Sequence, residues 1–298
     1  MRIAISGASG LIGQHLSASL RSLGHDVVPL VRRPAGPGEV HWDPANGVLD
    51  PASLIGTDAV VNLSGAGIGD RRWTASYKRT LLESRTLTTG LVASSIAAVA
   101  KDGGPQRFLS GSAIGFYGPR GDEALDEQST AGAGFLTDIC VQWEKATDAA
   151  ASAGVSVAHL RTGIVLTPAG GALRKLLPLF KLGVGGRMGS GRQWQSWISI
   201  DDEVRAIAHL LTSDIQGAVN LTAPNPVTNA EFTKVLARSV RRPALFPVPG
   251  FGPKLLLGGE LADALLLTGQ RVVPAALSAD GFAFEHPDLA TALAHLLP

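Results

Sequence analysis

The sequence predicts an α/β chain, a doubly wound parallel sheet with a smaller, irregular C-terminal lobe. Three observations carry this. Short β-branched runs alternate with helix-length stretches through the first half, the pattern of strands joined by crossover helices. A glycine-rich turn, Gly7-Ala8-Ser9-Gly10-Leu11-Ile12-Gly13, directly follows the first of those runs. After about Leu166 the rhythm gives way to Gly and Pro clusters at 168–171, 183–191, 224–226 and 243–253, which punctuate short elements.

Taken in order, the runs Ile3–Ser6, Val27–Val31, Ala59–Leu63, Phe108–Ser110 and Val155–Leu160 read as strands. Leu11, Ile12, Leu16, Leu20 and Leu23 lie mostly on one side of a first helix that ends at Gly24. A long helix from about Thr74 to Ala100 and another from about Phe135 to Ala153 follow. The division expected is a nucleotide-binding domain over 1–166 and a substrate lobe with a C-terminal module over 167–298. Returns to the main sheet are expected around 197–222.

Composition narrows the function classes. The 298 residues are 45% hydrophobic and 17% charged, the balance of a packed globular protein. A net charge of +1 offers no footprint for nucleic acid or an anionic membrane. Cys140 is the sole cysteine, so nothing ties the chain to an oxidising compartment. Met1-Arg2 runs straight into an apolar strand, with no room for a signal peptide. A cytoplasmic location is therefore expected, with the oligomeric state open. Seven scattered histidines show no zinc spacing, and no metal is expected. The acidic run Asp201-Asp202-Glu203 reads as a helix-capping cluster.

The glycine turn has the context that a dinucleotide site requires, a strand before it and a helix after it. Gly7, Gly10 and Gly13 permit the tight turn, the close approach of pyrophosphate and tight helix packing. Free N–H groups at Ser9, Leu11 and Ile12 then face negative charge. The fold expected is thus Rossmann-type. The next strand ends in Arg32-Arg33, nineteen residues past Gly13 when counted to Arg32. Guanidinium groups there, in place of a carboxylate, suit a 2′-phosphate, so the cofactor expected is NADP(H). Leu63, Ser64 and Gly65 end the strand begun at Ala59 and should pass the cofactor, because ligands of such sheets bind beyond the C-terminal strand ends.

With Ser110-Gly111-Ser112-Ala113-Ile114-Gly115-Phe116-Tyr117-Gly118 and Asp201-Asp202 added in order, the chain resembles extended short-chain dehydrogenases/reductases. More closely, it resembles their atypical NAD-dependent epimerase/dehydratase-like branch, the "epimerase family" proteins. Segments of that branch recur along nearly the whole chain: Arg72-Trp73-Thr74, Ser84-Arg85, Leu160–Leu166, Gly191–Ile198, Asn220–Pro226 and Gly269–Pro274. The resemblance implies that Arg161, Thr162 and Gly163 line the nicotinamide side, that Ser110, Gly111 and Ile164 also belong to the cofactor site, and that Ser112 holds the substrate oxygen.

Two departures stand out. The wider superfamily uses a tyrosine and a lysine four residues apart for proton transfer; aligned on Glu144, those places hold Leu136 and Cys140. Tyr117, at the mouth of the expected cleft, is a substitute acid/base or a packing residue. The arginine that often binds a sugar-nucleotide diphosphate is replaced by Gln195 or Ser196. Arg192 remains nearby for an anion, and Trp194 and Trp197 offer flat surface to a substrate or to the core.

The function expected is an NADP(H)-dependent oxidoreductase or epimerase-like enzyme acting on a small carbonyl or hydroxyl compound, nucleotide sugars included. The alternative is a non-catalytic NADP(H) sensor that acts through a protein partner.

Overall fold

The computed structural model describes residues 1–244 and 247–297. Along the first half run β1 (Arg2–Ser6), α1 (Leu11–Ser22), β2 (Asp26–Val31), β3 (Val40–Asp43), β4 (Val48–Leu49), β5 (Ala59–Asn62), α2 (Ala75–Val99), β6 (Arg107–Ala113) and β7 (Ala124–Leu125). Next come α3 (Phe135–Lys145), α4 (Asp148–Ser152), β8 (Ser156–Thr162), β9 (Ile164–Leu166), α5 (Gly171–Lys181), β10 (Trp194–Gln195), β11 (Trp197–Ser199), α6 (Ile200–Leu210) and β12 (Gly217–Leu221). The remainder holds β13 (Val227–Thr228), α7 (Asn229–Ser239), α8 (Phe251–Leu257), α9 (Gly259–Ala262), β14 (Arg271–Val272), α10 (Ala275–Ala279) and α11 (Leu289–Leu296).

Eight strands form the main sheet in the order β12-β8-β6-β5-β1-β2-β3-β4. All its neighbours pair in parallel except the β3–β4 edge. Alternation along each strand explains why both faces are covered. Ile3, Ile5, Val61, Leu109 and Ala158 join one core with Leu16 and Leu20 of α1 and Val204 and Ile207 of α6. The intervening Ala4, Val60, Phe108 and Val157 join a second core with Val92, Ala93 and Ile96 of α2. The chain winds outward from β1 in both directions, so the order reverses between β1 and β5. A crevice opens at such a switch point.

The C-terminal lobe has its own core, where Leu173, Leu177 and Phe180 of α5 meet Phe232 and Leu236 of α7 and Leu289 and Leu293 of α11. Of the Pro-rich stretch 243–253, Leu245 and Phe246 lie outside the described residues. The lobe is interleaved with the sheet. β12 pairs with β8 at its edge, and α6 packs on α1.

Several elements differ from the sequence expectation. The helix expected from Phe135 to Ala153 breaks at Ala146–Thr147. Thr147 turns its hydroxyl to the Glu144 carbonyl at 2.7 Å and to His159 at 2.9 Å, which competes with helix continuation. The acidic run at 201–203 stands in the first turn of α6, as expected, but does not supply the N-cap. Ser199 does, its Oγ accepting from the Asp202 N–H at 3.1 Å. Asp202 instead reaches across the lobe to accept from the backbone N–H groups of Glu285 and His286, both at 2.9 Å.

Candidate functional site

The glycine turn sits at the switch point. Gly7 has a positive φ of 72°, and a Cβ there would lie 2.8 Å from the backbone C and O of Leu63. A Cβ on Gly13 would lie 2.2 Å from the Gly7 carbonyl oxygen. The two glycines thus lock turn, helix and β5 together, and neither position tolerates a side chain. Gly10 differs: its Cβ would come no closer than 3.1 Å to that same oxygen and otherwise meets nothing. Its missing side chain leaves the space above the turn open.

Among the described residues, the N–H groups of Leu11, Ile12 and Gly13 find no backbone acceptor, and the first turn of α1 carries no acidic residue. An anion is the natural complement to such a helix start. A cavity of about 1020 Å³ opens there, lined by Gly7, Ser9, Gly10, Arg32, Arg33, Leu63, Ser64 and Gly65 among others. A dinucleotide fits a cradle whose glycines exclude Cβ atoms on two sides and whose amides are free on the third.

The two arginines at the tip of β2 are not equivalent. Arg33 clasps Glu39 through both carboxylate oxygens, at 2.7 and 2.6 Å. Arg32 is exposed to the cavity and, among the described residues, makes no hydrogen bond or ion pair. Only Arg32 is free to meet a phosphate without giving up a partner.

At the other end, over the tips of β6 and β8, side chains close on one another. Ser112 donates to Glu144 at 2.7 Å. Arg161 grips the same carboxylate through Nε at 2.8 Å and Nη2 at 2.9 Å. It also donates to the Tyr117 hydroxyl at 3.0 Å, while that hydroxyl donates to Asn220 Oδ1 at 2.7 Å. The Arg161 guanidinium lies 3.4 Å from the Phe116 ring centroid. The bidentate ion pair compensates two charges held out of water. Thr162 donates at 3.0 Å to Glu203, whose carboxyl is pushed up to about 8 by complete burial.

Three expectations are corrected by this packing. Tyr117 is fully buried, with its hydroxyl held by Arg161 and Asn220, and burial pushes its pKa up; it does not stand at the cleft mouth. Trp197 is also fully buried, packed in the C-terminal core with its N–H on the Asn225 carbonyl, so its ring offers no surface to a substrate. Ser110 is sealed in the sheet. Gly111 lies beneath Trp143, whose Cζ2 stands 2.7 Å from where a Cβ would be.

Of the other expected residues, Leu11 packs under Gly170. A Cβ on Gly163 would meet the Ser196 carbonyl at 2.5 Å. Ile164 pairs with Trp197 in the short β9–β11 ladder. Arg192 is exposed. Trp194 is half-buried, donating to Asp122 at 2.7 Å beneath the Arg271 guanidinium.

Glu144, Asn220 and Arg85 were not singled out by the sequence. Arg85 falls in a segment that carries the family resemblance, but nothing in its local sequence signals that its guanidinium is buried. Asn220 likewise falls in a segment that carries the resemblance and Glu144 anchors the tyrosine–lysine comparison, but the partners of each are acquired only through the fold.

Known proteins give this geometry its context. The NAD dependent epimerase/dehydratase family matches residues 3–222, and a domain of unknown function (DUF1731) matches residues 248–296. The chain is 46% identical over 295 residues to "epimerase family protein Mb2239" of Mycobacterium bovis, covering 98% of this chain and 96% of that protein. Human epimerase family protein SDR39U1 (isoform 2), whose crystal structure contains NADPH, superposes with a TM-score of 0.89 at 32% identity, covering 99% of both chains. A nucleoside-diphosphate sugar epimerase from Corynebacterium glutamicum gives a TM-score of 0.81 at 39% identity, covering 100% of this chain and 58% of that one. The chain belongs to the NAD dependent epimerase/dehydratase family, and carries that family's sheet with the DUF1731 module joined to it.

Proposed function

We propose that the chain binds NADP(H) over the tips of β2, β1 and β5 and acts as an oxidoreductase or epimerase-like enzyme on a small carbonyl or hydroxyl compound. The observation that carries this is the glycine cradle at the switch point with the unpartnered Arg32 at the tip of β2. The NADPH found in the human relative supports the choice of coenzyme. Gly7, Gly10 and the first amides of α1 hold the pyrophosphate, and Arg32 takes the 2′-phosphate. When bound, the nicotinamide supplies hydride chemistry. The chain's own part is binding and orientation. Ser112, itself oriented by Glu144, is the hydroxyl nearest the reacting oxygen in this reading. Arg161 holds Glu144 in place.

The test is a panel of carbonyl compounds and sugar nucleotides followed through reduced-coenzyme absorbance. Turnover of one class supports the enzyme reading. No turnover with coenzyme firmly bound defeats it.

A second reading, a redox sensor without chemistry of its own, is favoured by one observation: the chain's tyrosine nearest Ser112 is sealed away from the cleft. A protein partner whose capture changes between oxidised and reduced coenzyme would support it. Measured turnover would make it unnecessary.

A further inference from the structure

Arg85 poses an electrostatic problem that its surroundings leave unsolved. Its side chain rises from α2 into the wall between the tips of β5 and β6, and the residue is only 9% exposed. Two of its donors are used, Nη1 on the Leu81 carbonyl at 2.8 Å and Nη2 on the Ala66 carbonyl at 3.1 Å. The guanidinium also stands 5.0 Å from the Trp143 ring centroid. Among the described residues no carboxylate pairs with it. The titratable groups that interact with it are the Cys140 thiol, itself pushed up to about 12 by burial, and the Tyr77 phenol. Glu144, the carboxylate that acts on Cys140, is already paired with Arg161. A buried cation that lacks an anion is costly, and Nε, which makes no hydrogen bond, is not among the sealed atoms.

Its place along the sheet gives that charge a meaning. The tips follow one another as β2, β1, β5, β6 and β8. Arg32 marks β2 and the glycine turn marks β1. A dinucleotide held with its 2′-phosphate at Arg32 and its pyrophosphate at the glycine turn would carry its nicotinamide half onward past β5 toward β6. Arg85 stands there, with a Cβ on Gly65 only 3.3 Å from its Cζ.

We infer that Arg85 sets the redox preference of the site: its uncompensated positive charge favours the reduced coenzyme, whose nicotinamide is neutral, over the oxidised form, whose ring is cationic. The inference rests on the NADP(H) reading above and deepens it. It makes Arg85 a specificity residue for coenzyme redox state, whichever of the two functions the chain performs.

Calorimetric titration of the full chain with NADPH, NADP⁺ and adenosine 2′,5′-bisphosphate tests it. The wild type is expected to bind NADPH about tenfold more tightly than NADP⁺, the scale of a partly screened unit-charge repulsion. Arg85→Gln should bring the two affinities within about twofold while leaving the bisphosphate, which has no nicotinamide, unchanged. Arg85→Lys, which keeps the charge, should retain the preference. Equal wild-type affinities for the two redox forms would overturn the inference without any variant, so it stays testable should Arg85→Gln fail to fold. A Gln variant that keeps the preference, or loses the bisphosphate as well, would also overturn it. Failure of the wild type to bind the bisphosphate or NADPH at all is a different result, and defeats the coenzyme reading itself.

Discussion

The two ends of the cleft are built on opposite principles. Over β1 and β2 the chain leaves space and charge unfilled, with glycines in place of side chains and, among the described residues, amides without backbone acceptors and an arginine without a partner. Over β6 and β8 side chains fill the space, and Ser112, Glu144, Arg161, Tyr117 and Asn220 form one hydrogen-bonded network. An open, unsatisfied end gains most from a ligand, whereas a closed network contributes chiefly to the fold. Substitutions at one end should therefore move coenzyme affinity, and those at the other should move stability.

The largest effect is expected at the closed end. Glu144→Ala leaves Arg161 buried without its anion, the two side chains being 12% and 6% exposed. A loss of about 3–5 kcal/mol in chemical denaturation is expected, and a loss under about 1 kcal/mol would show the pair to be dispensable. At the open end, Gly13→Ala drives a Cβ into the Gly7 carbonyl. NADPH affinity should fall more than about a hundredfold by fluorescence titration, with circular dichroism confirming that helix content remains. Arg32→Ala should weaken NADPH by about 1.5–3 kcal/mol, or one to two decades, and leave NADH unchanged. Arg33→Ala should cost less, because its guanidinium is committed to Glu39.

Tyr117→Phe deletes a hydroxyl that bonds Asn220 and Arg161. About 1–2 kcal/mol of stability should be lost with NADPH affinity intact; a change in affinity instead would blur the distinction between the ends. The smallest effect, near pH 4.5, is expected from Glu203→Gln. Folding raises this carboxyl from 4.5 to about 8, so the native state favours the protonated form. Its stabilisation is complete below about 4.5 and is lost as pH rises through about 8. The glutamine variant should match the wild type below about pH 4.5 and exceed it by a margin that grows between about 4.5 and 8 in thermal melts.

Legibility in the sequence follows the same division. The open end is readable because its parts are contiguous: seven residues hold the whole turn, and Arg32 follows at the end of the next strand. The strands on either side are readable from alternation, since both faces are buried and the runs are almost wholly apolar. The closed end is not readable. Tyr117 and Asn220 are 103 positions apart, and no local pattern joins them. A tryptophan in a strand reads the same whether it faces a ligand or a core, so Trp197 could not be assigned. The break in the helix after Lys145 depends on a histidine from the following strand. Arg85 is plain in the sequence, but that it lacks a carboxylate partner becomes visible only once its neighbours are known.

The placement of β12 has a consequence for how the molecule is made. The strand beside β8 arrives only with residues 217–221, and Asn220 is in turn fastened to the Val273 carbonyl at 3.0 Å. A nascent chain released as far as Leu166 would carry a complete glycine cradle but a bare sheet edge, open to pairing with other chains. The ribosome must deliver more than fifty further residues before that edge is protected. Early coenzyme capture by the emerging first half would then offer a way to hold the sheet together during the wait.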